Sequence, residues 1–126
     1  MKILVIDENE PDLKQLTNSI TEALPGAQIF AFSNPVELLE FAQDNPCDIA
    51  FLEMVMPVMS GITMAKKLQS YNPKINIIFV SAYCENTADA FALHPSGFVI
   101  KPVTKEAIER EIKHLRHLLT PAVTRP

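Results

Sequence analysis

The chain has 126 residues, the length of one domain, with no room for a second of similar size. Its 48% hydrophobic and 21% charged residues describe a soluble globular protein and exclude disorder and fibrous repeats. A formal charge of −4 excludes a broad electrostatic grip on nucleic acid by this chain alone.

The first apolar run, Ile3-Leu4-Val5-Ile6, is stopped by Asp7. It is too short for a signal-peptide core or a membrane span, so a cytoplasmic protein with no membrane attachment is expected. A helical pattern follows from Pro11 to Leu24, with Leu13, Leu16, Ile20 and Leu24 at helical spacing. Pro11 suits a first turn, and Gly26 fits a stop. Gln28 to Phe32 is the second apolar run. Asn34-Pro35 reads as a cap and first helical residue ahead of Val36, Leu38, Leu39, Phe41 and Ala42.

Ile49-Ala50-Phe51-Leu52 is the third run, and a helix is expected from Ile62 to Leu68 behind Ser60-Gly61. Ile75 to Val80 is the fourth run, followed by a short, weakly patterned helix from Asn86 to Leu93. Phe98-Val99-Ile100 is the fifth. Thr104 caps a last helix predicted to reach about Leu119, with Glu106 and Glu109 early and Lys113, Arg116 and His117 late, as the helix dipole favours.

Most of these runs show no polar alternation, so they read as strands covered on both faces. Five strands alternating with five helices give an open α/β sandwich of three layers around a parallel sheet. Ligands of such sheets sit at the carboxyl ends of the strands. Those ends carry Asp7 and Glu8, then Glu53, then Ser81, then Lys101 with Pro102. Carboxylates, a hydroxyl and an ammonium are thereby brought together on one small rim.

Cys47 and Cys84 form neither a C-x-x-C pair nor a zinc-spaced cluster, so two reduced thiols are expected. The methionines Met54, Met56, Met59 and Met64 read as packing around the loop after the third strand. His94, His114 and His117 read as surface positions.

The segments Ile6-Asp7-Glu8, Glu53 to Gly61, Val80-Ser81-Ala82 and Gly97 to Pro102 resemble the receiver domain of bacterial two-component response regulators. The likeness covers about residues 2 to 119 and matches in element type, order and spacing. It implies a flavodoxin-like (βα)5 fold over residues 1–119, with 120–126 as a linker or tail. It implies Mg²⁺ held weakly by Asp7, Glu8 and Glu53, and phosphoryl contacts from Ser81 and Lys101. Phe98 matches the family's switch aromatic, and Pro102 its cis-proline. The implied partners are a histidine kinase and a C-terminal DNA-binding effector domain that these 126 residues do not contain. A homodimer through the face from the fourth to the fifth helix is a further expectation, carried by the stripe Ile108, Ile112, Leu115 and Leu119. The alternative to that stripe is ordinary packing on the chain's own sheet.

The acceptor position departs from the family, and Glu8 departs mildly from the commoner aspartate. The phospho-acceptor is an aspartate there, and this chain has Glu53. The extra methylene moves the carboxylate by ~1.5 Å, and a misplacement of ~1 Å can cost on the order of 100-fold in rate. Glu53 also reaches toward Lys101 and Ser81, as a partial phosphoryl mimic would. A receiver that has lost phosphorylation, a substitution imitating activation, and residual phosphorylation all fit the sequence. A free-standing FMN- or nucleotide-binding protein, or a phosphohydrolase using Asp7, is the alternative of another class. Against it, no glycine-rich loop follows the first strand, and Asn9 stands where the phosphohydrolase needs a second acid.

Overall fold

The computed structural model describes residues 1–82 and 88–117. Strands β1 (Lys2–Ile6), β2 (Gln28–Phe32), β3 (Ile49–Glu53), β4 (Asn76–Ser81) and β5 (Gly97–Ile100) alternate with helices α1 (Glu10–Ala23), α2 (Pro35–Asp44), α3 (Gly61–Tyr71), α4 (Ala88–Ala92) and α5 (Lys105–Ile112). The sheet order is β2-β1-β3-β4-β5, and every pairing is parallel. This is the open α/β sandwich expected from the alternation, in the flavodoxin-like (βα)5 form that the resemblance implied. The chain moves outward from β1 to β2, then crosses back to β3. That reversal places the switch point beside β1 at the carboxyl ends of the strands.

The unbroken apolar runs are explained by two cores, one on each face of the sheet. In β1, Leu4 and Ile6 face one way, against Leu38 of α2 and Met64 and Leu68 of α3. Ile3 and Val5 face the other way, against Leu16 and Ile20 of α1 and Ile108 of α5. The period-two alternation of a strand therefore sends every residue from Ile3 to Ile6 into a core. Met54, Met56 and Met64 are buried in the first core and Met59 packs against it, as the packing reading expected.

Side-chain caps start the helices. Asn34 Oδ1 accepts from the Val36 amide at 2.8 Å, Ser60 Oγ from the Thr63 amide at 3.1 Å, and Thr104 Oγ1 from the Ala107 amide at 3.1 Å. Pro11 and Pro35 lie in first turns, where no intrahelical donor is lost. Cys47 is buried, and its thiol reaches the Asn45 carbonyl at 3.3 Å. Burial pushes that thiol up to about 11, aided by Asp48 and opposed by Lys2. Cys84 lies outside the described residues.

The last helix differs from expectation. It stops at Ile112, where the sequence pattern runs on toward Leu119. Beyond it the backbone is held by tertiary bonds at the amino end of the sheet. Asn76, 1% exposed at the start of β4, accepts from the His117 amide at 2.8 Å and donates to the His117 carbonyl at 3.2 Å. Ser96 Oγ donates to Asn76 Oδ1 at 2.9 Å and accepts from the Arg116 amide at 3.0 Å. These bonds turn residues 113–117 across the floor of the sheet.

Of the stripe named for self-association, Ile108 is used inside the domain. Ile108 has no exposed surface, and Ile112 and Leu115 pack half-buried on the same core. α5 needs its apolar face to cover the sheet. Leu119 and the tail 120–126 lie outside the described residues.

Candidate functional site

The β1–α1 turn is built by short polar contacts. Asp7 follows β1 and is almost fully buried, and its Oδ1 accepts from the Asn9 amide at 2.9 Å. Asn9 Oδ1 in turn accepts from the Asp12 amide at 3.0 Å and caps α1. The first turn of α1, with Asp12 on it, is thereby held over the strand ends.

Glu53 is the last residue of β3 and is 6% exposed. One of its oxygens, Oε2, accepts from the Val55 amide at 3.0 Å. The loop behind it closes when the Gly61 amide donates to the Met54 carbonyl at 3.0 Å. A side chain at Gly61 would overlap the Glu53 carbonyl, so only glycine lets the start of α3 approach β3 so closely.

Ser81 ends β4, buried, and its carbonyl accepts from the Lys101 amide at 2.8 Å. Lys101 follows β5, and the Lys101–Pro102 bond is cis. Phe98, half-buried on β5, lies between Phe79 and Phe91 with ring centroids 5.7 and 5.5 Å away. Its amide donates to Glu111 Oε1 at 3.3 Å.

Lys101 draws the rim together. Its Nζ lies 2.7 Å from Asp7 Oδ2, 2.9 Å from Asp12 Oδ2 and 2.5 Å from Glu53 Oε1. An ammonium has three donors, and each has a carboxylate within reach. Burial alone works to lower the affinity of this amine for its proton. The hydrogen bonds to Asp7, Glu53 and Asp12 outweigh it, and the lysine is held well above its ordinary range.

The structure thus brings Asp7, Glu53 and Lys101 together, with the Ser81 carbonyl bonded to the Lys101 backbone. It does not assemble the expected metal triad. Among the described residues no three acidic, histidine or cysteine side chains converge as a metal cage. The donor chemistry suits magnesium, and Glu8 has a buried Oε2 with no hydrogen-bond partner. Yet the inner oxygens of Asp7 and Glu53 both face the Lys101 ammonium. As arranged, these two oxygens are engaged by the ammonium.

Asp12 is the residue that sequence reasoning missed. Its position, three residues past a capping asparagine on the helix after β1, was the available signal. With Gln15, Ala82, Lys101, Pro102 and Val103 it lines a cleft of about 300 Å³ beside the ion-pair cluster. Gln15 Nε2 closes the far side by donating to the Val103 carbonyl at 3.2 Å.

Comparison with known proteins gives the same picture. The transcriptional regulatory protein YpdB of Escherichia coli (strain K12) is 24% identical over 115 residues, covering 91% of this chain and 47% of that protein. The transcriptional regulatory protein LytR of Staphylococcus aureus (strain N315) is 29% identical over 116 residues, covering 92% and 47%. The chain therefore spans about half the length of these relatives. Among solved structures, a CheY-like response regulator receiver domain protein from Methanospirillum hungatei JF-1 superposes with a TM-score of 0.79 at 19% identity, over 89% of this chain and 90% of that one. The family model described as the response regulator receiver domain matches residues 3–113. A match of that extent, on the sheet order and strand-end residues described above, makes this chain a member of the response regulator receiver domain family.

Proposed function

We propose that this receiver, a signalling module rather than an enzyme, does not take up a phosphoryl group at position 53 and is held by Glu53 in one signalling state. The observation that carries this reading is the Lys101 ammonium on the Glu53 carboxylate at 2.5 Å. An aspartate would end about one bond short of that place. Glu53 spans the gap and gives Lys101 the anion that a phosphoryl group would otherwise supply. Its second oxygen is fixed by the Val55 amide, so the carboxylate is positioned at both ends.

Receivers act in two-component signalling with a histidine kinase and generally bind Mg²⁺. In this reading a kinase would find no competent acceptor at Glu53. The two transcription regulators related to this chain are about twice its length. A transcription-regulating effector domain as its output partner is the matching proposal. No helix among the described residues is long and apolar enough to cross a membrane. The FMN-binding and phosphohydrolase alternatives are set aside by family membership.

The test compares the native protein with Glu53→Asp. Both are incubated with Mg²⁺ and acetyl phosphate, and intact mass is recorded. In the variant the shorter carboxylate attacks phosphorus, the bond from phosphorus to the acetate oxygen breaks, and acetate leaves with the electron pair. The variant is expected to gain one phosphoryl group that hydroxylamine removes, and the native protein none. A hydroxylamine-labile adduct on the native protein at Glu53 refutes the reading.

A further inference from the structure

The third carboxylate on Lys101 has no place in the resemblance that identified the other site residues. Asp12 lies on α1, a helix, whereas the other groups stand at the ends of strands. Its Oδ2 is 2.9 Å from Lys101 Nζ, and its side chain is 39% exposed on the wall of the cleft. It is therefore neither a core residue nor a cap. Asn9 supplies the cap, through the Asp12 backbone amide, and leaves the Asp12 carboxylate free to turn to Lys101.

The donor count of an ammonium gives this contact a consequence. A phosphoryl oxygen arriving at position 53 needs one of the three donors of Lys101. Asp7 Oδ2 holds a second, and Asp7 is fixed by the Asn9 amide on its other oxygen. Asp12 holds the third and draws the ammonium toward α1. It also adds a negative charge beside the place where an anion would have to enter.

We propose that Asp12 is a positioning residue that restrains Lys101 on the α1 side of the rim and sets how readily the ammonium follows an anionic group at position 53. The inference rests on the reading of this rim as a receiver site. In the native chain the restraint keeps Lys101 bound within its own carboxylate cluster. In a chain with the shorter acceptor it slows phosphoryl uptake, even though the acceptor is then in place.

The experiment has two parts. The first needs no phosphorylation. Exchange of the Lys101 ammonium protons is followed by nitrogen-15 NMR in the native protein, in Asp12→Ala and in Asp12→Glu. Asp12→Ala is expected to speed exchange about tenfold, a typical coupling between directly contacting residues, and Asp12→Glu to restore part of the protection. Unchanged exchange in Asp12→Ala overturns this inference and leaves the receiver reading intact.

The second part measures the rate of adduct formation from acetyl phosphate in the Glu53→Asp background. Adding Asp12→Ala is expected to raise that rate about tenfold. Adding Glu10→Ala, which removes a charge from the same helical turn without touching Lys101, is expected to change it less than about twofold. With Lys101→Met also present, the gain from Asp12→Ala should disappear. Equal gains from Asp12→Ala and Glu10→Ala, or a gain that survives Lys101→Met, mean general charge repulsion and overturn the proposal. Absence of any adduct in every variant refutes both this inference and the receiver-site reading on which it rests.

Discussion

Lys101 carries one positive charge among the carboxylates of Asp7, Asp12 and Glu53, and its amine is held protonated beyond the ordinary lysine range. The folded value lies above the unfolded one, so the linkage runs in one direction. The stabilisation is complete below about pH 10.4, the value of a free lysine, and is lost as pH rises through the folded value. Lys101→Met leaves the carboxylates without their cation and is expected to cost about 3 kcal/mol at neutral pH. Urea unfolding of both proteins from pH 7 upward checks this. The difference in midpoint should stay constant to about pH 10 and shrink beyond it. A difference that already falls between pH 7 and 9 would show that another group carries it.

At this scale the sequence shows chemistry better than geometry. Asp7, Glu53, Ser81 and Lys101 were readable because each interrupts or ends an apolar run. Asp12 was not, because an acid in the first turn of a helix already has an ordinary explanation in the dipole. The acidic residues named for magnesium show a related effect. Residue types suited to magnesium are equally suited to an ammonium, and only the folded distances tell which cation their oxygens face.

The elements show where local pattern is sufficient and where it is overruled. All five strands were legible: the inner β1, β3 and β4, buried on both faces, have no polar alternation to confuse, and the edge strands β2 and β5 are only partly buried but still mostly apolar. α5 was legible at its Thr104 cap and not at its end. Ile112 and Leu115 continue a helical spacing, but the bonds that stop the helix come from Asn76 and Ser96, 20 or more positions away along the chain. The same helix decides what Ile108 does. Its side chain is fully buried on the sheet, so Ile108→Ala is expected to lower stability by about 3 kcal/mol through a cavity. Sedimentation across a concentration series should be unchanged by it. A loss of self-association without loss of stability would instead restore Ile108 to an intermolecular contact.

In the whole molecule the polar groups divide between two ends of one sheet. The rim holds Asp7, Glu53, Ser81 and Lys101, and the floor holds Asn76, Ser96 and the backbone of residues 116–117. Asn76→Ala removes both donors and acceptors from the floor and is expected to cost about 2 kcal/mol. The amides of Arg116 and His117 should then exchange with solvent faster, while those of Asn9 and Val55 at the rim stay as they are. Hydrogen exchange read by mass spectrometry separates the two ends, and equal effects at both would mean that the floor is not an independent unit.

The floor bonds also decide where the backbone of residue 117 sits. Residue 117 is fastened beside the first residue of β4, whereas Glu53 and Ser81 stand at the last residues of their strands. A strand of that length measures roughly 17 Å. Residue 117 therefore lies at the end of the sheet opposite the charged cluster. A partner bound at the rim and a partner bound at the floor would occupy separate ends of this domain, and both could be held at once.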